Sequence, residues 1–160
     1  AEAFAQKKFG ATPWYGQASV SWNRTSFTGF DGVDRPGAFD TPVLANVVLG
    51  WRPNARWEVA TRMRAASGLR YTPFRESGTL AGTLDFTQYL SDRLPTFFAA
   101  DLRIDRRFIL GNRQLIAFLD LQNVSNRNNV GAPQWNPRRR VAEFNEGAGL
   151  LPSIGLNFEF

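Results

Sequence analysis

Between Phe97 and Phe108 the chain alternates with a period of two, Phe98, Ala100, Leu102 and Ile104 interleaving with Asp101, Arg103, Asp105 and Arg107. Successive side chains of a strand point to opposite faces, so this stretch reads as a strand with one apolar and one charged face. The pattern recurs. From Arg56 to Ala66, Trp57, Val59, Thr61, Met63 and Ala65 alternate with Glu58, Ala60, Arg62 and Arg64. From Gln114 to Val124, Leu115, Ala117, Leu119 and Leu121 alternate with Ile116, Phe118, Asp120 and Gln122. Charges in mid-strand need water or each other, and opposite signs on neighbouring strands can pair. The alternation places Glu58, Arg62, Arg64, Asp101, Arg103, Asp105 and Asp120 on one polar face, with Val59, Met63, Leu102 and Ile104 on the other.

Four more segments read as strands: Ala1 to Phe9, Trp14 to Arg24, Val43 to Trp51, and the end of the chain up to Phe160. In the last, Ile154, Leu156, Phe158 and Phe160 alternate with Ser153, Gly155, Asn157 and Glu159. The connections alternate in length. Short turns fall at Gly10–Pro13, Arg52–Ala55 and Ile109–Arg113, and long loops at Ser26–Pro42, Ser67–Leu94 and Asn126–Arg140. Aromatic residues collect beside the short turns (Phe9, Trp14, Trp51, Trp57, Phe108, Phe160), whereas Trp22, Phe98 and Trp135 fall toward the other rim. A soluble sandwich gives no reason for that gathering, but a membrane interface does. Facing lipid, a mid-strand Arg would cost ~2–4 kcal/mol, so the charged face would line a wet lumen. The expected fold is all-β: an antiparallel transmembrane β-barrel wall of about seven meandering strands, with Trp14, Trp51, Trp57 and Phe108 as a periplasmic girdle.

Composition removes other classes. No apolar run reaches the roughly 18 residues of a membrane-spanning helix. Cysteine and histidine are both absent, which excludes disulfides, thiolate metal sites and imidazole chemistry. The net charge of +5 is carried by arginine, Lys7 and Lys8 being the only lysines, and the arginines are interleaved with carboxylates along the chain. That dispersion speaks against a nucleic-acid surface. Asp101 and Asp105 would stand about 13 Å apart on a strand, beyond the ~5–9.5 Å of a glycosidase pair. Asp31, Asp34 and Asp40 match no calcium-loop spacing. Asn23-Arg-Thr25 and Asn123-Val-Ser125 match the glycosylation triplet, which recurs by chance. Trp135 beside Arg138, Arg139 and Arg140 offers a contact for an anionic ligand or lipopolysaccharide in an outer loop, as against a merely solvated turn. No phosphate-binding glycine loop or nucleophile elbow occurs. No catalytic residue, metal ligand or cofactor site is expected.

Two resemblances follow. Ser153, Gly155, Phe158 and the closing Phe160 resemble the C-terminal signal by which bacterial outer-membrane barrels are recognised for assembly. Gly37-Ala-Phe-Asp-Thr-Pro42, Leu49-Gly-Trp-Arg-Pro-Asn54, Ala66-Ser-Gly68, Tyr71-Thr-Pro73 and Arg93-Leu-Pro95 come in that order. Asp101-Leu-Arg-Ile-Asp-Arg106, Leu121-Gln-Asn-Val-Ser-Asn-Arg-Asn128 and Pro152-Ser-Ile-Gly155 follow them. Together they resemble the C-terminal strands of a TonB-dependent outer-membrane receptor, over nearly the whole chain. That resemblance implies residence in the bacterial outer membrane, in a barrel of about twenty-two strands around an N-terminal plug. It implies import of a scarce ligand of the siderophore, cobalamin or glycan class. The implied partners are outer-membrane lipid and lipopolysaccharide, the barrel-assembly machinery, and a TonB-type energising protein reached through a region before Ala1. Residues 1–160 would then be the C-terminal part of the barrel domain, without the plug, lying open with two free edges. Ile116 and Phe118 would be the apolar lumen positions that meet the plug. A self-contained eight-strand outer-membrane barrel with a structural or adhesive role and a soluble basic β-sandwich binding module are the alternatives.

Overall fold

The computed structural model describes residues 1–160. The strands are β1 (Glu2–Lys7), β2 (Trp14–Trp22), β3 (Ser26–Thr28), β4 (Asp34–Pro36), β5 (Val43–Asn54), β6 (Trp57–Ala66) and β7 (Arg70–Tyr71). They continue as β8 (Asp92–Arg93), β9 (Phe97–Leu110), β10 (Arg113–Gln122), β11 (Val130–Asn136), β12 (Val141–Glu146) and β13 (Leu151–Glu159). Seven of them make one antiparallel meander in the order β1-β2-β5-β6-β9-β10-β13. β1 and β13 are its two edges and do not pair with each other, so the sheet is open. The closed eight-strand arrangement is not formed.

All seven strands read from alternation are present, and the long connections are more ordered than the sequence suggests. Each long connection folds into its own ribbon: β3–β4, β7–β8 and β11–β12. The stretch from Asn126 to Arg140, expected as a loop, already contains β11, and its partner β12 precedes the last strand. These ribbons are rich in Gly, Pro and Asn, which masks the period-two signal over so few residues. Two of the short turns shrink for the opposite reason, since pairing runs past the expected strand ends, whereas the first lengthens, β1 ending at Lys7 and not at Phe9. Between β5 and β6 the chain turns at Ala55 and Arg56. Asn54 Oδ1 accepts there from the N–H of Arg56 (2.9 Å) and of Trp57 (3.1 Å). Between β9 and β10 it turns at Gly111 and Asn112, with Gly111 at φ 65°, the positive φ that suits glycine in a tight hairpin.

Register fixes the two faces. Val48, Arg62 and Asp101 are directly paired across β5, β6 and β9, as are Asp120 and Arg103 across β10 and β9. On the reverse, Val47, Met63 and Ala100 are paired, as are Val59, Ile104 and Leu119. Glu58, Arg62, Arg64, Asp101, Arg103, Asp105 and Asp120 therefore share one face and Val59, Met63, Leu102 and Ile104 the other. Burial runs opposite to that of a water-soluble sheet. No side chain is fully sealed, and the buried positions of the seven-stranded sheet are Gly50, Glu58 (9% exposed), Ala99, Asp101 (7%) and Ile116, all on the charged face. On the apolar face Trp22 is 68% exposed, Leu156 71% and Ile154 83%. No second layer covers that face.

Candidate functional site

Three ionic clusters are laid across the charged face. The first centres on Glu58 of β6. Its carboxylate accepts from Arg52 Nη2 (2.5 Å) and Nε (3.1 Å), and also from Arg107 and the Tyr15 hydroxyl. Tyr15 reaches Glu58 by lying over Gly50, its cross-strand partner on β5. A Cβ on Gly50 would stand 2.0 Å from the Tyr15 ring, so the residue under the ring has to be glycine. Tyr15, Arg52 and Arg107 were missed by sequence reasoning, because only the register brings four strands onto one carboxylate. The one available hint was a glycine inside an otherwise bulky strand.

The second cluster centres on Asp101. Oδ2 accepts from Arg62 Nη2 (2.8 Å) and Nε (3.0 Å) and from Arg64 Nη2 (3.3 Å), while Oδ1 accepts from the Asn123 N–H (2.9 Å). Asn123 sits at φ 52°, a left-handed conformation that Asn tolerates, just past the end of β10. Its Nδ2 donates to the carbonyls of Arg127 (3.0 Å) and Ala148 (3.1 Å). Asp101 thus ties two arginines of β6 to the start of the third long connection. In the third cluster Arg103 donates to Asp105 (2.8 Å) and lies over the Phe118 ring at 4.2 Å. Phe118 lies over Gly155, where an added Cβ would stand 2.4 Å from the ring. Asp120 lies opposite Arg103 in register but makes no ion pair, since that guanidinium is turned to Asp105 and Phe118.

A further node lies among the long connections. Asp40, 3% exposed, accepts from Arg70 Nε (2.9 Å) and Arg93 Nη2 (2.7 Å). Arg93 Nη1 also donates to the carbonyls of Asp40 and Gly68, both at 2.7 Å. The hydrogen bond from Arg70 holds the Asp40 carboxyl below the usual carboxylate range against the opposing effect of burial, and Arg93 adds to it. Asp31, in the β3–β4 ribbon, pairs with Arg35 at 2.5 Å, which likewise lowers its carboxyl. Asp34 accepts from Thr28 Oγ1 at 2.6 Å. The three loop carboxylates are engaged separately, and no three acidic groups converge anywhere.

Trp135 is half-buried in β11, tilted against Phe74 at 6.0 Å and close over Gly82, while Phe144 of β12 meets Tyr71 edge-on at 6.0 Å. The indole thus helps seat the third ribbon on the second connection, and none of the guanidinium groups of Arg138, Arg139 or Arg140 lies over its ring. Arg139 pairs with Glu143 (2.7 Å), whereas Arg138 and Arg140 are exposed without ion pairs. At the short-turn end, Trp14 stacks on Trp51 at 5.7 Å, and Trp57 and Phe108 both flank Arg106. Arg106 is the second omission of sequence reasoning, although counting by twos along β9 places it on the apolar face.

Glu58, Asp101 and Asp105 are each engaged by arginine, Glu58 also by the Tyr15 hydroxyl, whereas Asp120 makes no ion pair. The arrangement is a polar surface cross-linked between neighbouring strands. No family model, curated protein or solved structure matches the chain. The class defined by the fold is an all-β protein built on one open, seven-stranded antiparallel sheet.

Proposed function

We propose that this sheet is a section of the wall of a bacterial outer-membrane β-barrel of the TonB-dependent receptor type, taking part in the import of a scarce ligand. The observation that carries the reading is the inverted burial. Glu58 and Asp101 are paired and buried on one face, whereas no second layer covers the apolar face. An apolar surface of that extent is stable only against lipid or another protein. Aromatic rings gather beside the short turns, as amphipathic rings do at a membrane interface. In this reading the ion-paired face lines the lumen, the ribbons of the long connections face outward from the cell, and β1 continues into further strands. Ser153, Gly155, Phe158 and Phe160 serve assembly, and energy arrives through a TonB-type partner that acts on a plug.

The test is fractionation of the full-length protein from a Gram-negative cell. Retention in the outer membrane through alkaline washing, release only by detergent, and a heat-sensitive shift in electrophoretic mobility are expected. Release into detergent-free buffer refutes the membrane reading. Membrane retention with ligand uptake unchanged after deletion of the gene refutes the receptor role alone.

A further inference from the structure

The apolar face is not uniformly neutral. Counting by register, its charged residues within the sheet are Lys7 of β1, Arg106 of β9 and Arg113 of β10, and no carboxylate shares the face. All three cations lie at the short-turn end, whereas the long-connection end of the same face presents Trp22, Val43, Phe98 and Leu121. Lys7 donates to the Thr12 hydroxyl at 2.6 Å. Arg106 has no ion-pair or hydrogen-bond partner, although it is flanked by Trp57 at 4.6 Å and Phe108 at 5.5 Å. Aromatic faces on two sides hold the guanidinium in place and leave its N–H fork without an acceptor.

Beside Arg106 runs an open groove of ≈ 660 Å³ across β6, β9, β10 and β13. Its floor is Ala117, the direct cross-strand neighbour of both Arg106 and Leu156, and its walls include Trp57, Ile104 and Leu119. The small side chain between larger ones makes a furrow that leads from the guanidinium toward mid-sheet.

We propose that Arg106 and this furrow form a binding site for one anionic phospholipid of the leaflet at the short-turn end, the guanidinium clamping the phosphodiester and the furrow taking an acyl chain. The proposal rests on the membrane reading above. Charge complementarity selects the occupant, since a cation-only rim on a lipid-facing surface attracts headgroups of negative charge. The planar fork of Arg106 suits two phosphate oxygens at once.

The experiment is native mass spectrometry of the full-length protein in detergent mixed with phosphatidylglycerol or with phosphatidylcholine. Preferential retention of one phosphatidylglycerol is expected, falling about five-fold in Arg106→Gln, with Arg106→Lys intermediate and Arg24→Gln, at the opposite end, unchanged. Circular dichroism of each variant distinguishes loss of lipid from loss of fold. Equal retention of both lipids, or phosphatidylglycerol retention untouched by Arg106→Gln in a protein that fractionates with membranes, overturns the site while leaving the membrane reading standing. A protein extracted without detergent overturns both.

Discussion

On the charged face Asp101 is 7% exposed and gathers hydrogen bonds from Arg62, Arg64 and the Asn123 backbone. On the opposite face, at the edge of the same sheet, Leu156 is 71% exposed and meets no covering layer. In water the hydrophobic effect would arrange these the other way round. On the membrane reading proposed above, the difference means that the two faces obey two solvents. The charged face gains stability from networks in which Glu58 and Asp101 are each shared by several donors, and the apolar face from whatever excludes water from it.

Breaking the comparison outright calls for a charge on the wrong face. Leu102→Arg, mid-strand in β9, is expected to cost ~2–4 kcal/mol when the face meets lipid, measured by denaturant unfolding from bilayers. A soluble surface would absorb the same change within about 0.5 kcal/mol.

The charged face can be sharpened by comparing its own members. Asp101→Asn removes a charge shared by two arginines and is expected to cost ~1–3 kcal/mol, discounted because Arg62 and Arg64 are 54% and 40% exposed. Asp105→Asn loses one partly exposed pair, for less than ~1 kcal/mol. Equal costs in the same unfolding assay would remove Asp101 from its central place.

Gly155 separates packing from assembly. Gly155→Ala drives a Cβ into the Phe118 ring and is expected to cost ~1–3 kcal/mol, and Phe118→Leu in the same chain should restore stability and abundance. Failure of the double variant to recover its abundance in the membrane would leave Gly155 to the assembly signal alone.

The smallest effect is expected at the loop node. Because the Asp40 carboxyl is depressed in the folded chain, its contribution is present above the ordinary carboxylate value of about 3.9 and is lost as pH falls below it. Limited proteolysis should therefore find the long connections protected at mildly acid pH and cleaved only in strong acid. Asp40→Asn should be cleaved at either pH. Wild-type loops opening between about pH 5 and 6 would contradict the sign.

Strand number and facing were legible because each long strand offers nine or more residues of period-two signal, as β2, β5 and β9 do. The ribbons were not, since β7 and β8 have two residues each and owe their place to Asp40, Arg70 and Arg93, which are distant in sequence. The Glu58 cluster was half legible: its carboxylate is plain in the alternation, but Tyr15 and Arg107 reach it only through register. Arg106 was legible, since it alternates with Asp105 and Arg107 and so falls on the face of Leu102 and Ile104. Arginines Arg138 to Arg140 stood out as a run, yet Trp135 beside them in sequence turns to Phe74 and Gly82.

The central claim is that one face meets lipid and the other water, and the natural lack of cysteine makes it directly measurable. Spin labels on single cysteines at Val59, Leu102 and Leu119, and at Ser19, Ala60 and Gln122, are to be read in the full-length protein in phospholipid bilayers. The account predicts collision with oxygen at the first three and with a water-soluble nickel chelate at the second three, alternating along β6 between Val59 and Ala60. Nickel accessibility at Val59, Leu102 and Leu119 equal to that at Ser19, Ala60 and Gln122 would contradict it.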